Sequence, residues 1–230
     1  MPDIILDLFA GTGAWSRPYA KAGYDVRLIS LPEYDVTCVE FNNHAMEFKR
    51  MDKPYHETLC VLYEDIVGIL AAVPCTEFSL AKNGSHRKRD LREGLRTLQA
   101  AMSIIWLCLA NGAPIRFWAL ENPVGLMRRF LGKPAYTFRQ WQFGANGLKP
   151  TDLYGMFKPP VPTVKEEPKD DLFRKLRKRY KGGKTPGKSN GFCISIPECP
   201  EWYNGQKLNR AALRAITPDG FAEAFFKANR

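Results

Sequence analysis

The chain has 230 residues, of which 45% are hydrophobic and 12% aromatic, so it is not a disordered protein and has room for one domain with a modest insert. No apolar run approaches the ~18 residues of a transmembrane helix, and the first residues lack the features of a signal peptide, so we expect a cytoplasmic protein. The formal net charge of +10 favours a polyanionic partner, although a basic surface that serves solubility alone would carry the same charge.

Four short apolar runs in the first two thirds of the chain are typical of buried parallel strands. Helical patterns separate some of these runs, which predicts an α/β fold with a Rossmann-like sheet and helices on both faces. Ligand sites in such sheets lie beyond the carboxyl ends of the strands. The four runs are residues 3–9, 24–31, 66–73 and 116–120.

Some of the segments between these runs carry a clear helical pattern of apolar residues, and one does not. A helical pattern follows the first run up to Gly23, and a longer one covers residues 90–111 before the helix stop Asn111-Gly112. For residues 38–63 the pattern is ambiguous, and we expect a mix of helix and loop.

Beyond residue 156 the composition changes. Residues 157–171 are rich in proline and charge and predict no regular structure. Ten basic and four acidic residues lie in the segment 165–190, whereas residues 210–229 carry an amphipathic helical pattern with a Thr217-Pro218 start. We therefore divide the chain into a first domain (1–155), a small basic insert (156–206) and a C-terminal helix (207–230) that packs back on the first domain.

The first candidate site is DLFAGTG, residues 7–13, directly after the first predicted strand. Its glycines would let the backbone approach a ligand closely, and the following helix would point its N-terminus at that ligand. A simple tight turn would use the same residues, so this motif alone leaves both interpretations open.

The second candidate is Cys75, which follows the strand predicted at 66–73 and enters a basic loop. Neighbours such as Lys82 and His86 favour a lowered thiol pKa, and a thiolate can open a covalent two-step reaction. The alternative is a buried structural cysteine. The other five cysteines show no CxxC spacing, and with only three histidines in the chain we expect no metal site.

The third candidate is Glu121, at the end of the strand RFWAL. A carboxyl in apolar surroundings has a raised pKa and can act as an acid or hydrogen-bond donor. A helix-capping or surface carboxylate is the alternative.

Taken together, DLFAGTG, PCTEFS at 74–79, DLR at 90–92 and ENP at 121–123 resemble the motifs of the DNA cytosine-5 methyltransferase family, in that family's order. The resemblance covers residues 3–155 and is closest to the compact members found in bacteriophages and prophages. It implies a class I methyltransferase sheet, S-adenosylmethionine as cofactor, double-stranded DNA as substrate, and methyl transfer to carbon 5 of a cytosine flipped out of the duplex. We expect the enzyme to be a monomer.

The resemblance also implies roles for single residues. Cys75 matches the nucleophile, and Glu121 matches the glutamate that binds the cytosine ring nitrogen. Lys149 stands where the family has an arginine, with a turn lysine as the alternative. For the acidic residue that holds the cofactor ribose, the nearest carboxylates are Glu33 and Asp35, either of which can substitute, and Asp35 is our choice. The complete set of expected cofactor-binding residues is Phe9, Ala10, Gly11, Thr12, Gly13, Ala14, Trp15, Asp35 and Pro74.

The basic segments suit contacts with phosphates, which position a protein on DNA more than they read its sequence. A solvated flexible loop is the alternative for the basic run of the insert, and Trp202 and Tyr203 could either stack on a base or pack in the protein. The expected DNA-binding residues are Ser79, Arg87, Lys88, Arg89, Arg174, Lys175, Arg177, Lys178 and Arg179.

Two further functions remain open at this point. One keeps Cys75 and Glu121 but changes the acceptor, to RNA or a nucleotide, or changes the donor. The other is a DNA-binding relative without catalytic activity. The enzymatic interpretation requires that Cys75 and Glu121 converge on one pocket beside the glycine turn.

Overall fold

The computed structural model describes residues 3–53, 57–80, 82, 88–181, 196–205 and 207–230, without the side chains of 179–181. The strands in these ranges are β1 (Ile4–Leu8), β2 (Asp25–Ile29), β3 (Tyr34–Phe41), β4 (Ala45–Arg50), β5 (Thr58–Leu62), β6 (Ile66–Ala71), β7 (Phe117–Pro123), β8 (Tyr136–Arg139) and β9 (Pro150–Met156). The α-helices are α1 (Arg17–Lys21), α2 (Leu91–Ala110), α3 (Arg128–Leu131), α4 (Asp171–Lys181), α5 (Arg210–Ala215) and α6 (Asp219–Ala228).

A six-stranded sheet in the order β2-β1-β6-β7-β9-β8 forms the centre of the molecule. The first four of these strands run parallel, while β9 is antiparallel to both β7 and β8. Every residue of β1 and β6 is buried, as continuous apolar runs predict for strands covered on both faces. The predicted α/β fold, with a mostly parallel sheet between helices, is therefore confirmed.

Different elements cover the two faces of this sheet. One face packs on α2 and on a second, smaller sheet, through buried residues such as Leu98, Ile105 and Phe48. The other face carries an aromatic cluster from α1, β7 and α6, in which Phe225 lies 5.4 Å from the Trp15 ring and 5.7 Å from the Phe117 ring. Both faces are thus closed by apolar contacts, which leaves the ends of the strands as the places for polar groups.

The prediction of helix and loop for residues 38–63 is wrong. This segment and the residues just before it form the antiparallel sheet β3-β4-β5. One side of that sheet buries Val36, Met46, Phe48 and Val61, and this burial against the main core decides the strand conformation. The Asn42 side chain makes the turn between β3 and β4 by accepting hydrogen bonds of 2.8 Å from the backbone N–H groups of His44 and Ala45.

The C-terminal pattern at 210–229 forms two helices instead of one. The chain breaks at 216–218, because Pro218 has no backbone N–H with which to continue a helix. Asn209 caps α5, and α6 begins directly after Pro218 and buries Phe221 and Phe225 against the main sheet. The expectation that this region packs on the sheet is met by α6.

Part of the basic segment is a docked helix, α4. Its residues Phe173 and Leu176 pack in a small cluster with Trp141 and Leu148, and its charged residues face outward. The preceding residues 157–170 contain no helix or strand, as their proline content predicts. Across the described ranges, no helix combines the length and apolar character needed to cross a membrane.

We expect Phe225→Ala to lower the free energy of unfolding by about 3–5 kcal/mol, because it leaves a cavity among the aromatic rings that join α6 to the sheet. Urea denaturation measures this loss. Lys227→Ala, an exposed position on the same helix, should change stability by no more than about 0.5 kcal/mol. Equal stability of the two variants would contradict the packing of α6 on the sheet.

Candidate active site

The glycine turn, residues 9–13, begins directly after β1 in an unusual backbone conformation. Phe9 has φ +57°, a region that a bulky residue rarely adopts and that is concentrated at functional sites. Its N–H donates to the Ile29 carbonyl oxygen at 2.8 Å, and the Gly11 N–H donates to the Ser30 hydroxyl at 3.3 Å. These bonds join the turn to the end of β2.

The strand order places the three candidate motifs next to each other. β1 has β2 on one side and β6 on the other, so the chain connections leave in opposite directions and open a crevice at the carboxyl ends of β1 and β6. The glycine turn follows β1, Cys75 follows β6, and Glu121 lies near the end of β7, the next strand. Motifs far apart in the chain therefore meet at one edge of the sheet.

A cavity of about 120 Å³ lies at this edge. Cys75, Glu121 and Lys149 line it together with the glycine turn, and the Lys149 ammonium is 3.9 Å from the Glu121 carboxylate. We call this space the inner cavity. Its outer wall is formed by residues 215–217, between α5 and α6, so the C-terminal region completes a site that the first 155 residues begin.

A larger cavity of about 630 Å³ adjoins the inner one, and we call it the outer cavity. The two share Phe9, Pro74 and Cys75. The outer cavity extends past Ser30 and Asp35 to the first turns of α2, and its volume lies within the roughly 300–1,000 Å³ range of small-molecule sites. One carboxylate oxygen of Asp35 accepts hydrogen bonds of 2.8 Å from the backbone N–H and the hydroxyl of Thr37, which orient the side chain.

Burial governs the electrostatics of the reactive groups. It raises the pKa of the Cys75 thiol, the nearby Lys149 lowers that pKa to a smaller extent, and Glu121 raises it. Burial also raises the pKa of Glu121, as predicted for a carboxyl in apolar surroundings, against the opposing effect of Lys149. The expectation of a lowered thiol pKa is therefore wrong for the protein without substrate.

Of the basic residues that follow Cys75, Lys82 and Arg89 do not act on the thiol in the way that the sequence suggested, and His86 lies outside the described residues. Lys82 forms an ion pair with the buried carboxylate of Glu77, and the Arg89 guanidinium donates to the carbonyl oxygens of Glu77 and Ser79. The Glu77 carboxylate also accepts a 2.7 Å hydrogen bond from the N–H of Asp90. These charges brace the loop that carries Cys75, and the cation whose charge acts most directly on the sulfur is Lys149, from a distant part of the chain.

Asn122, to which our sequence interpretation gave no role, connects the Cys75 and Glu121 motifs. Its side-chain N–H donates to the Val73 carbonyl oxygen at 2.8 Å, and nearby the Leu126 N–H donates to the Phe78 carbonyl oxygen at 2.9 Å. Gly125 is required there because an added Cβ would collide with the Phe78 carbonyl oxygen. The loops after β6 and β7 thus form one unit, which sets the position of Cys75 relative to Glu121.

Asp7 is a second residue that the prediction missed, although it lies within the first motif. It lines the inner cavity, and burial raises its pKa to about 7 while a 2.6 Å hydrogen bond from the Ser16 hydroxyl opposes the shift. Trp15 lines the same cavity, and its buried indole N–H has no hydrogen-bond partner within the described ranges. Both are polar groups that a ligand of the inner cavity could meet.

The residues expected to bind DNA have different surroundings. Ser79 is buried and pairs with Gly125, Arg89 braces the Cys75 loop, and Lys88 is exposed. Arg87 and the side chain of Arg179 lie outside the described residues.

On α4, Arg174 is paired with Asp171 and Arg177 with Glu167, whereas Lys175 and Lys178 are exposed and have no ion-pair partner in the part of the chain that the structure describes. In the rest of the insert, the Arg17 guanidinium lies 4.5 Å from the Trp202 ring, and Tyr203 meets that ring edge-on. Trp202 is therefore already engaged by a cation within the protein.

No protein-family model matches the chain, and no curated protein matches it at a significant level. In the ranges that the structure describes, no group of three or more histidine, cysteine, aspartate or glutamate side chains is arranged to hold a metal ion. Interpretation of the site therefore rests on its geometry and on the sequence motifs.

Alkylation by iodoacetamide should report the electrostatics of Cys75. Because the Cys75 pKa is raised, the rate of Cys75 labelling should be low at pH 7 and should rise with pH. At pH 8, Lys149→Met should lower this rate further, and Glu121→Gln should raise it. Peptide mass spectrometry follows each thiol, with the exposed Cys38 and Cys60 as internal controls for the reagent. If Lys149→Met left the rate unchanged at every pH, the assignment of Lys149 as the facing cation would be incorrect.

Proposed function

We propose that this chain is a DNA cytosine-5 methyltransferase with a class I methyltransferase sheet, which transfers a methyl group from S-adenosylmethionine to carbon 5 of cytosine in double-stranded DNA. The observation that carries this proposal is the inner cavity, where a nucleophilic sulfur, a carboxyl with a raised pKa and a cation lie beside a glycine turn. The same residues are those that resemble the family's catalytic motifs.

The chemistry of cytosine explains why these groups are needed together. Carbon 5 is a poor nucleophile, but addition of the Cys75 thiolate to carbon 6 moves the electron pair of the C5–C6 double bond onto carbon 5. The bound cofactor supplies an electrophilic methyl group at that carbon. Loss of the carbon 5 proton to a base then expels the Cys75 thiolate and restores the double bond.

Glu121 supports the addition step by holding a proton at ring nitrogen 3. Its raised pKa keeps the carboxyl protonated to a higher pH than usual, so it can donate to the nitrogen on which negative charge develops. Lys149 lies near both Glu121 and Cys75 and favours the charged form of each. Because burial raises the Cys75 pKa, the thiol must give up its proton to solvent as the sulfur adds to carbon 6, and the charge of Lys149 favours the thiolate that forms.

The outer cavity fits an adenosyl cofactor. Its volume suits a nucleoside, Asp35 offers a carboxylate for ribose hydroxyls, and Phe9 and Pro74 lie where the outer and inner cavities join. The buried Trp15 N–H, which no residue of the described part of the chain pairs with, and the buried Asp7 are available to the amino-acid end of the cofactor. The residues that would hold the cofactor are Phe9, Ala10, Gly11, Thr12, Gly13, Ala14, Trp15, Asp35 and Pro74.

The target base would share the inner cavity with the amino-acid end of the cofactor. At about 120 Å³ this cavity is smaller than the roughly 150 Å³ cavity that accommodates benzene in an engineered protein core, so a base pair does not fit. A cytosine of duplex DNA must therefore leave the stack before it reacts. The cost of extracting it would be met by contacts with the DNA backbone.

Helix α4 is the best candidate for those backbone contacts. It presents the exposed Lys175 and Lys178, and its buried side packs on Leu148, the residue before Lys149. The apolar cluster that contains Leu148 would thus fix the position of a phosphate bound to α4 relative to Lys149 and the inner cavity. Exposed lysines without an acidic partner contribute to such contacts more than arginines already paired with carboxylates.

Trapping on duplex DNA with 5-fluorocytosine tests the reaction, because fluorine blocks the final elimination. With S-adenosylmethionine present, the wild-type protein and the exposed-site control Cys38→Ala should form a covalent adduct, and Cys75→Ala should form none. Glu121→Gln should slow adduct formation by about 100-fold while changing DNA affinity less than about threefold. If Glu121→Gln lowered the DNA affinity as much as the rate of adduct formation, the proposed role of Glu121 would be contradicted.

The acceptor is tested by transfer of a labelled methyl group to duplex DNA, RNA and dCMP. We expect label in the duplex alone. Label in RNA or dCMP would replace the proposed acceptor, and DNA binding without any transfer or adduct would identify a binding protein.

The salt dependence of DNA binding tests α4. Replacing Lys175 and Lys178 with alanine should reduce the slope of log affinity against log salt by about 2, because each phosphate contact contributes roughly 0.9. The matched control removes the ion pair Arg174–Asp171 in the same helix and should leave the slope nearly unchanged. Fluorescence anisotropy with a labelled duplex measures both, and equal slopes in the two variants would exclude α4 from the interface.

A further inference from the structure

The segment between Glu121 and Asp152 carries charge of one sign only. Residues 122–151 contain five basic residues and no acidic one. Three of the five are used within the protein, namely Arg128, Arg139 and Lys149. The other two, Arg129 and Lys133, are exposed and have no ion-pair partner in the ranges that the structure describes. The exposed Phe130 lies between them in the chain, and we call these three residues the α3 surface.

Helix α3 holds this surface in a fixed place on the domain. The Arg128 guanidinium donates two hydrogen bonds of 2.7 Å to the carboxylate of Asp152, which is buried in β9. The buried Met127 precedes the helix, and Leu131 at its end packs against the apolar core that includes α2. Because one side of α3 is fastened in this way, the cations of the α3 surface are presented to solvent in a defined position.

The α3 surface is also joined to the turn that carries the nucleophile. The Phe130 ring meets the buried Phe78 ring edge-on, with ring centroids 6.0 Å apart. Phe78 belongs to the turn that begins at Cys75, since the Phe78 N–H donates to the Cys75 carbonyl oxygen at 3.1 Å. Just before α3, the Leu126 N–H donates to the Phe78 carbonyl oxygen at 2.9 Å. A ligand bound at the α3 surface would thus be placed relative to Cys75.

The α3 surface and α4 belong to opposite faces of the main sheet. Leu131 packs in the core of the face that α2 covers, whereas α4 packs on Trp141, close in the chain to Phe143 of the aromatic cluster on the other face. Both segments start from the same strand ends, where the Val124 N–H donates to the Pro150 carbonyl oxygen at 3.0 Å. A long polyanion that lies across these strand ends would therefore meet cations on both sides of the inner cavity.

We propose that Arg129 and Lys133 bind phosphates of double-stranded DNA on the other side of the target cytosine, along the duplex, from the phosphates bound by α4. This inference rests on the proposed function, from which it takes DNA as the partner. Exposed cations without acidic neighbours favour a polyanion, and phosphate contacts fix the position of a duplex on a protein. Contacts on both sides of the target hold the two flanking stretches of DNA while the base leaves the stack.

The salt dependence of duplex binding tests the α3 surface. The double variant Arg129→Ala, Lys133→Ala should reduce the slope of log affinity against log salt by about 2, because each phosphate contact contributes roughly 0.9. The matched control replaces Lys21 and Lys227 with alanine. These are exposed lysines at the ends of α1 and α6, and both helices begin beside the inner cavity and lead away from it. The control removes the same charge and should change the slope by less than about 0.5.

Two shortened duplexes test the placement on opposite sides of the target. Each contains one 5-fluorocytosine and extends in only one direction from it. Replacing Arg129 and Lys133 should slow adduct formation on one of these duplexes, whereas replacing Lys175 and Lys178 should slow it on the other. If both double variants were slow on the same shortened duplex, the two surfaces would contact the same side and the proposed placement would be wrong.

The remaining outcomes separate this inference from the proposed function. An unchanged salt slope in the variant of Arg129 and Lys133, with normal adduct formation, would exclude the α3 surface and leave the proposed function intact. A reduced slope without any adduct in the wild-type protein would leave the phosphate contacts and remove the methyl transfer. Absence of duplex binding by the wild-type protein would overturn both.

Discussion

The hydrogen bond from the Asn122 amide to the Val73 carbonyl oxygen holds the carboxyl ends of β6 and β7 together. Cys75 follows one of these strands and Glu121 lies in the other, so their separation depends on this contact and on the Leu126–Phe78 bond beside it. Because Asn122 is fully buried, loss of its partner would leave polar groups without water, which keeps the two loops in one arrangement. The glycine turn, the cavities and the position of Lys149 are all arranged around this pair of strand ends.

Burial is the main influence on the charges around the pocket. Burial raises the pKa of both Cys75 and Glu121, and the nearby Lys149 only partly opposes it. These upward shifts favour the neutral thiol and the neutral carboxyl, whereas Lys149 favours the charged form of each.

The segments after residue 155 contribute to the site from outside the main sheet. Residues 215–217 close the inner cavity, and α4 reaches the neighbourhood of Lys149 through Leu148. A short insert can therefore serve two purposes, since one face of α4 packs on the domain and the other presents lysines.

The sequence by itself determined the parallel strands, the long helix α2 and the three motifs, because continuous apolar runs and glycine or proline at their ends are local signals. It also identified Cys75, Glu121 and Lys149, which the structure brings to one cavity. It failed for β3–β5, where burial of Val36, Phe48 and Val61 against α2 overrides an ambiguous local pattern. Only the tertiary structure decided that Lys82 and Arg89 brace the loop, that the Cys75 pKa is raised, and that Asn122 joins the two loops of the site. These properties depend on burial and on partners distant in the chain, which no local pattern of residues contains.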